Sequence, residues 1–288
     1  MLKEIYNFLL HLRLHYQLLI LSGGFLLGGY FAGEMDADRF WVQFLNVHIL
    51  LFGGATAYNS WWDKDKGPVG GLKHPPEMAR WMHPVSLILM FAGLLFAVSV
   101  GAMYAFIFLI SLILFWLYST PLARWKSDPH LSMAAIGIST GFNSVLMGTL
   151  AAGGVISPKL LFGAAGASLI LLSLYPVSQI FQIEEDRKRK DHTFALKYGV
   201  SGVKSFFMIA FITGSLLLSG SILIQSFAAG ILLIVGTAVS GTIIAYFILK
   251  MEGKPNEYAI VMKTKFFASL SFVFFFLAGN VVRHGWLG

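Results

Sequence analysis

Cysteine is absent from the 288 residues. That excludes disulfides, thiolate nucleophiles and thiolate-ligated zinc or iron–sulfur centres. Charge is also scarce: 12% of the residues are charged, against about 25% in soluble globular domains. So few charges could not clothe the surface of a soluble protein of this size. No stretch alternates with a period of two, which excludes a membrane β-barrel. No segment is polar enough for a soluble domain or a flexible linker. What fills the chain instead is hydrophobic sequence, 57% of it, with a mean hydropathy of +0.73.

A membrane-crossing helix needs about 20 mostly apolar residues. Nine such runs stand at 15–34, 40–58, 84–100, 102–118, 131–152, 160–182, 203–222, 226–249 and 264–282. The expectation is an all-α polytopic membrane protein, nine helices in one bundle around a central cavity, formed by residues 1–288 as one domain. The first run is too long for a signal-peptide core and has no small-residue cleavage site, so it reads as a retained helix.

The charges test this layout. With nine crossings, 18 of the 21 lysines and arginines fall on the side holding the N-terminus, and only Arg39, Lys159 and Arg283 on the other. The positive-inside rule then puts the N-terminus in the cytoplasm and the C-terminus outside the inner membrane. Of the 14 acids, all but Glu34, Asp36 and Asp38 share the cytoplasmic side. The net charge of +7 is thus confined to one membrane face. That argues against nucleic acid and for anionic lipid or an anionic substrate as partner.

Two cytoplasmic segments carry polar groups at helical spacing just where an apolar run ends. Asn59 and Asp63 are four apart and share a face, and Gln182 and Asp186 repeat the spacing, with Glu185 between them. They read either as solvated helix ends or as two facing sets of oxygen ligands. Hard oxygen donors without cysteine or clustered histidine favour Mg²⁺, which is usually held by one or two carboxylates together with substrate phosphates. The run Arg187 to Lys190 reads as a positive-inside anchor or as a phosphate site, with Arg187, next to Asp186, the first candidate. A third segment, Tyr118 to Lys126, has Pro121 as helix stop and sets the Tyr118 hydroxyl, Arg124 and Lys126 at the membrane surface. Asn143 lies mid-run and reads as a helix–helix contact or as cavity lining.

Together these three segments resemble the UbiA superfamily of intramembrane prenyltransferases. Asn59 and Asp63 fill the first two positions of its NxxxDxxxD motif. Glu184, Asp186, Arg187, Thr193 and Gly199 match its second motif, close to DxEGDRxxGxxT and a following glycine. Tyr118, Ser119, Pro121, Arg124 and Lys126 follow its YSxPxxxKxK-like pattern, with Arg124 for the first lysine. Arg13 matches a basic residue common at the start of the first helix. The sequence also departs from the pattern. Gly67 stands at the last aspartate of the first motif, with Asp65 two residues earlier. Gln182 replaces the first aspartate of the second motif, and Lys190 replaces a glycine.

The resemblance implies transfer of an isoprenyl group from an isoprenoid diphosphate to a hydrophobic acceptor: an aromatic quinone precursor, a lipid or a carotenoid. It implies Mg²⁺ held by Asp63, Asp186 and Asn59, with Glu185, Asp65 or Asp191 compensating for the missing carboxylates. It places Asn59, Asp63, Asp186 and Tyr118 at the reacting centre, facing the cytoplasm. Arg124, Lys126, Arg187, Lys66 and Gln182 then bind the diphosphate. The segment from Gly67 to Pro76 reads as a mobile loop over the site, as the resemblance implies, or as a plain connector. Two other readings are a membrane terpene cyclase on the same scaffold, acting without acceptor, and a non-catalytic lipid-binding or transport protein.

Overall fold

The computed structural model describes residues 2–64 and 67–285, and within them every regular element is helical. We number the helices α1 (Leu2–Leu12), α2 (Gly23–Phe31), α3 (Ala37–Asp63), α4 (Met82–Val98), α5 (Ala102–Ser119), α6 (Pro129–Ala151), α7 (Pro158–Arg189), α8 (Phe194–Gln225), α9 (Phe227–Lys250) and α10 (Pro255–Arg283). Seven of these, α3 and α5 to α10, are long and apolar enough to cross a membrane. The run expected at 84–100 gives the shorter α4, of 17 residues. The run expected at 15–34 is broken. Arg13 adopts a left-handed conformation (φ 50°), a π-helical turn follows over Gln17–Leu21, and Ser22 separates that turn from α2.

Neighbours in sequence are neighbours in space. Each helix from α4 to α10 packs on the one before it, and α10 returns to pack on α2. The close crossing of α2 and α6 needs glycine on both sides. A Cβ on Gly28 would lie 2.2 Å from the Val145 carbonyl oxygen, and one on Gly148 would lie 2.0 Å from that of Phe25. Thr149 Oγ1 donates to the Gly28 carbonyl at 2.9 Å across the same crossing. Helices in lipid lack a hydrophobic drive to associate and depend on such small-residue contacts. Asn143 Nδ2 donates to Ser111 Oγ at 2.9 Å, joining α6 to α5, so this buried amide serves packing.

Local sequence explains the ends that carry the site. Thr120 is extended because Pro121 follows it, and α5 stops at Ser119. Pro176 cannot donate a helical hydrogen bond, and α7 tightens into a 3₁₀ stretch over Pro176–Gln182 before resuming at Ile183. The α3, α5 and α7 ends thereby meet at one end of the bundle.

Candidate active site

Asn59 and Asp63 lie one turn apart on the last turns of α3. Asn59 Nδ2 donates to Asp63 Oδ2 at 2.8 Å, while Asn59 Oδ1 accepts from Ser119 Oγ and from Lys126 Nζ, both at 3.0 Å. Lys126 also forms an ion pair with Asp63, in which both side chains are only 10% exposed. The ammonium therefore sits between an amide oxygen and a carboxylate oxygen. Lys126 is brought there by the 120–128 turn, which passes through a left-handed Arg124 (φ 44°) and a 3₁₀ turn at Trp125–Ser127.

Asp186, 8% exposed, projects from the end of α7 and accepts from Thr193 Oγ1 at 2.9 Å. The chain then reverses through a left-handed Lys190, and Asp191 N donates to the Asp186 carbonyl at 3.0 Å. Asp191 holds Arg124 by a two-pronged contact, 3.1 Å from Nε and 3.1 Å from Nη2. Tyr118 lines the same cavity as Asn59 and Ser119, and its hydroxyl is 3.0 Å from that of Tyr175. The structure thus brings together Asn59, Asp63, Tyr118 and Lys126, with Asp186 and Arg124 on the α7 side.

Three expected residues are placed otherwise. Gln182 Nε2 donates to the Pro68 carbonyl at 3.2 Å, so it fastens a loop. Glu185 pairs with Arg189, its i+4 neighbour, and leaves 38% of its side chain exposed. Arg187 is exposed and makes no side-chain hydrogen bond among the described residues. Asp65 and Lys66 lie outside the described residues. Among those described, no three acidic or histidine side chains converge to hold a metal by themselves.

The segment following Gly67 is not a plain connector. A tight turn pairs Val69 with Leu72 through Gly71 (φ 86°), a backbone conformation suited to glycine. Arg13 Nη1 donates to Gly70 O at 3.0 Å, His15 Nε2 to Gly71 O at 3.1 Å and Tyr258 OH to Val69 O at 3.4 Å. Further along, His11 Nε2 donates to Pro76 O at 2.8 Å, and burial holds that imidazole below its ordinary value, as a neutral donor. With Gln182, the loop is fastened to the first, seventh and last helical segments at once.

Behind the polar cluster lies a cavity of about 380 Å³. Asn59, Tyr118 and Ser119 close one end of it. Phe52, Phe115 and Phe272 are among its apolar walls, and Tyr16 and Lys265 also reach it. Gly236 of α9 and Ser271 of α10 line the cavity and are exposed outside it, so it opens between those two helices midway along their length. The missed participants are Tyr16, Tyr175 and Lys265. Only Lys265 had a sequence signal, as a cation inside an apolar run rather than beyond its end.

Residues 20–277 match the UbiA prenyltransferase family. No curated protein matches the sequence. The fold is similar to that of a UbiA homolog from Archaeoglobus fulgidus bound to GPP and Mg²⁺, with a TM-score of 0.74 at 15% identity, over 95% of this chain and 99% of that one. The same homolog bound to DMAPP and Mg²⁺ gives 0.73 at 16% identity, over 96% and 99%. A structure of digeranylgeranylglyceryl phosphate synthase gives 0.65 at 18%, over 97% and 99%.

Proposed function

Because the chain belongs to the UbiA prenyltransferase family, we propose that it transfers an isoprenyl group from an isoprenoid diphosphate to a hydrophobic acceptor with the help of Mg²⁺. The observation that carries this reading is a cluster of Asn59, Asp63, Lys126 and Tyr118 set at the head of an apolar cavity. The donors fit the metal. Asn59 Oδ1 and Asp63 Oδ1 already hold one cation, the Lys126 ammonium, and Asp186 offers a second buried carboxylate. Two carboxylates leave the remaining positions to diphosphate oxygens and water, as Mg²⁺ prefers. Homologs of this fold bind GPP or DMAPP together with Mg²⁺.

Bound there, Mg²⁺ would neutralise the negative charge that develops on the departing diphosphate. The chain's own residues do the rest. Lys126, drawn off Asp63, and Arg124 bind diphosphate oxygens, placing positive charge where the leaving group forms. Asp191 holds the Arg124 guanidinium in position. The C–O bond breaks with its electron pair going to the diphosphate, and the acceptor supplies the pair for the new bond and then loses a proton from the attacking atom, which the released diphosphate takes up. Phe52, Phe115 and Tyr118 offer ring faces to the allylic cation. The apolar walls keep water from capturing it. The 67–76 loop, pinned by Arg13, His15, Gln182 and Tyr258, covers this end.

The test is release of diphosphate from geranyl diphosphate by the purified protein with an acceptor panel. Release and prenylated product should both stop in EDTA and return with Mg²⁺. Release that continues in EDTA, or none under any condition, overturns the reading. A cyclic hydrocarbon made without acceptor would identify a cyclase instead.

Residues 1–288 act on this reading as one domain with nine crossings: α4 and the broken segment before Phe31 cross along with the seven long helices. The N-terminus and the site face the cytoplasm and the C-terminus faces outward. The cysteine-free chain allows a direct check. Leu122, 87% exposed, and Val155, 78% exposed, lie in turns at opposite ends of the bundle. Leu122→Cys should react with a membrane-impermeant maleimide only from the cytoplasmic side, and Val155→Cys only from outside. Reaction of both from one side contradicts this topology.

A further inference from the structure

Outside the cavity, two strips of side chains lead away from the mouth between α9 and α10. On α9, Gly236 and Ser240 line the cavity, and Ile243, Phe247 and Lys250 follow at spacings of three or four. Residues so spaced share one face of a helix. Ser240 is half-buried and the other four are exposed. On α10, Ser271 lines the same mouth, and Phe267 and Lys263 precede it at spacings of four, all three exposed. Each strip therefore runs from the mouth past apolar side chains to a lysine. The run from Ser271 to Lys263 is about 12 Å and that from Ser240 to Lys250 about 15 Å, at 1.5 Å per residue.

Where the strips end, a cleft of about 420 Å³ lies at the turn joining the two helices. Lys250, Lys254 and Lys263 line it, with Glu252 and Glu257. Both acids are engaged within the turn. Glu257 accepts from the backbone N–H groups of Glu252, Gly253 and Lys254 at 2.7, 2.8 and 3.0 Å, and Glu252 pairs with Lys254. Lys250 donates to Tyr246 OH at 2.5 Å and stands 4.0 Å from the centre of that ring. Neither Lys250 nor Lys263 forms an ion pair with an acid of the described residues. Lys204 adds a further cation nearby, donating to the Leu249 carbonyl at 2.7 Å. Tyr258, just after the turn, donates to Val69 O, so the cleft lies at the same end of the bundle as the candidate active site.

An isoprenyl tail can pass between apolar helices, whereas a diphosphate pays heavily to leave water. An amphiphile with its phosphates at Lys250 and Lys263 lays its tail in the groove between the two strips, with the far end at the mouth. Lysines at a membrane surface attract such headgroups. A phospholipid brings two chains and one phosphate. An isoprenoid diphosphate brings one chain and two phosphates, which match a single groove and one unpaired lysine on each helix. We propose that this cleft and groove are a loading site for the donor, outside the reacting cavity. Lys250 and Lys263 hold its diphosphate while the tail, lying along Phe247, Ile243 and Phe267, finds the mouth. The site rests on the prenyl-transfer reading and deepens it. It serves donors whose tails keep them in the bilayer, and short donors that arrive through water bypass it.

The experiment uses the full chain in nanodiscs of phosphatidylcholine, which has no net charge. Phe247→Cys, the sole thiol in a cysteine-free chain, carries a bimane fluorophore in the groove. EDTA keeps metal-dependent binding in the cavity out of the signal. Geranylgeranyl diphosphate should shift the emission saturably, and geranylgeraniol, its uncharged match, should not. Adding Lys250→Gln and Lys263→Gln should weaken the diphosphate response by about tenfold. An equal response to the alcohol, no response, or a response that the lysine changes leave alone overturns the proposal. Displacement by an equal amount of phosphatidylglycerol would assign the cleft to phospholipid headgroups and overturn it as well. In unlabelled protein with Mg²⁺, the two lysine changes should raise KM for geranylgeranyl diphosphate. KM for water-soluble dimethylallyl diphosphate should stay within about twofold. An equal rise for both donors would make the lysines a general attractor of anions and overturn the loading site. Failure of the prenyl-transfer reading looks different: Mg²⁺-dependent diphosphate release is then missing from the wild type with either donor.

Discussion

Asp63→Asn is expected to lower turnover by about 10²- to 10³-fold at saturating Mg²⁺, the cost typical of removing one group that stabilises developing charge. The substitution keeps the shape and removes only the charge. It has a second consequence, because Asp63 is the acidic partner of a nearly buried Lys126. Taking away one member of a buried pair weakens the hold on the other, a loss of up to about 3 kcal/mol here, since Lys126 keeps its bond to Asn59 among its contacts. The double variant Asp63→Asn with Lys126→Met removes the ammonium as well. It should regain most of the lost thermal stability and none of the turnover. Product formation and melting midpoints for both variants separate the two roles. A single variant within tenfold of wild-type turnover would show that Asp63 is only a structural partner for Lys126.

The second large effect contrasts two neighbours. Asp186→Asn should cost about 10²-fold in turnover, while Glu185→Gln should stay within about threefold, the loss of one half-exposed helical ion pair. Asp186 is buried and fixed by Thr193. Glu185 is half-buried, pairs with Arg189 and has its carboxylate beside Gly67. The measurement is turnover across a Mg²⁺ titration. A Glu185→Gln curve displaced to higher Mg²⁺ would restore Glu185 as a ligand and reverse this assignment.

The Glu185 case shows where sequence carries the site and where it stops. Spacing along one helix is legible: Asn59 with Asp63, and Glu185 with Arg189, are i+4 pairs that any helix brings together. The i+4 pairing and the metal role were both open for Glu185 from sequence, and the structure favours the pairing. The order of the three segments resembling the family also made Lys126 and Arg124 legible as cations near the acids. Partners set by folding were not. Lys126 reaches Asp63 across 63 positions, Gln182 reaches Pro68 across 114, and Lys265 reaches Tyr16 across 249. Apolar runs give helices but not their irregularities: nothing in composition shows that Arg13 turns left-handed just ahead of the first run. Lys190 is a departure that the backbone explains in part. It has φ 58°, ψ 29°, the conformation for which the family motif keeps a glycine, and lysine there costs about 1 kcal/mol.

The opening between α9 and α10 decides what concentration means for this protein. Gly236 and Ser271 sit midway along helices whose apolar windows are only 22% buried within the protein. The mouth therefore faces acyl chains rather than water. On the prenyl-transfer reading, a substrate with an isoprenyl tail would reach it by lateral diffusion in two dimensions, already partitioned and already oriented with its headgroup at the membrane surface. The quantity that fills the site is then its mole fraction among the lipids. Diluting the same amount of donor into more bilayer slows the reaction, even though nothing changes per millilitre of suspension. Product leaves by the same route and stays in the bilayer, where the next lipid-borne step can take it without a soluble carrier.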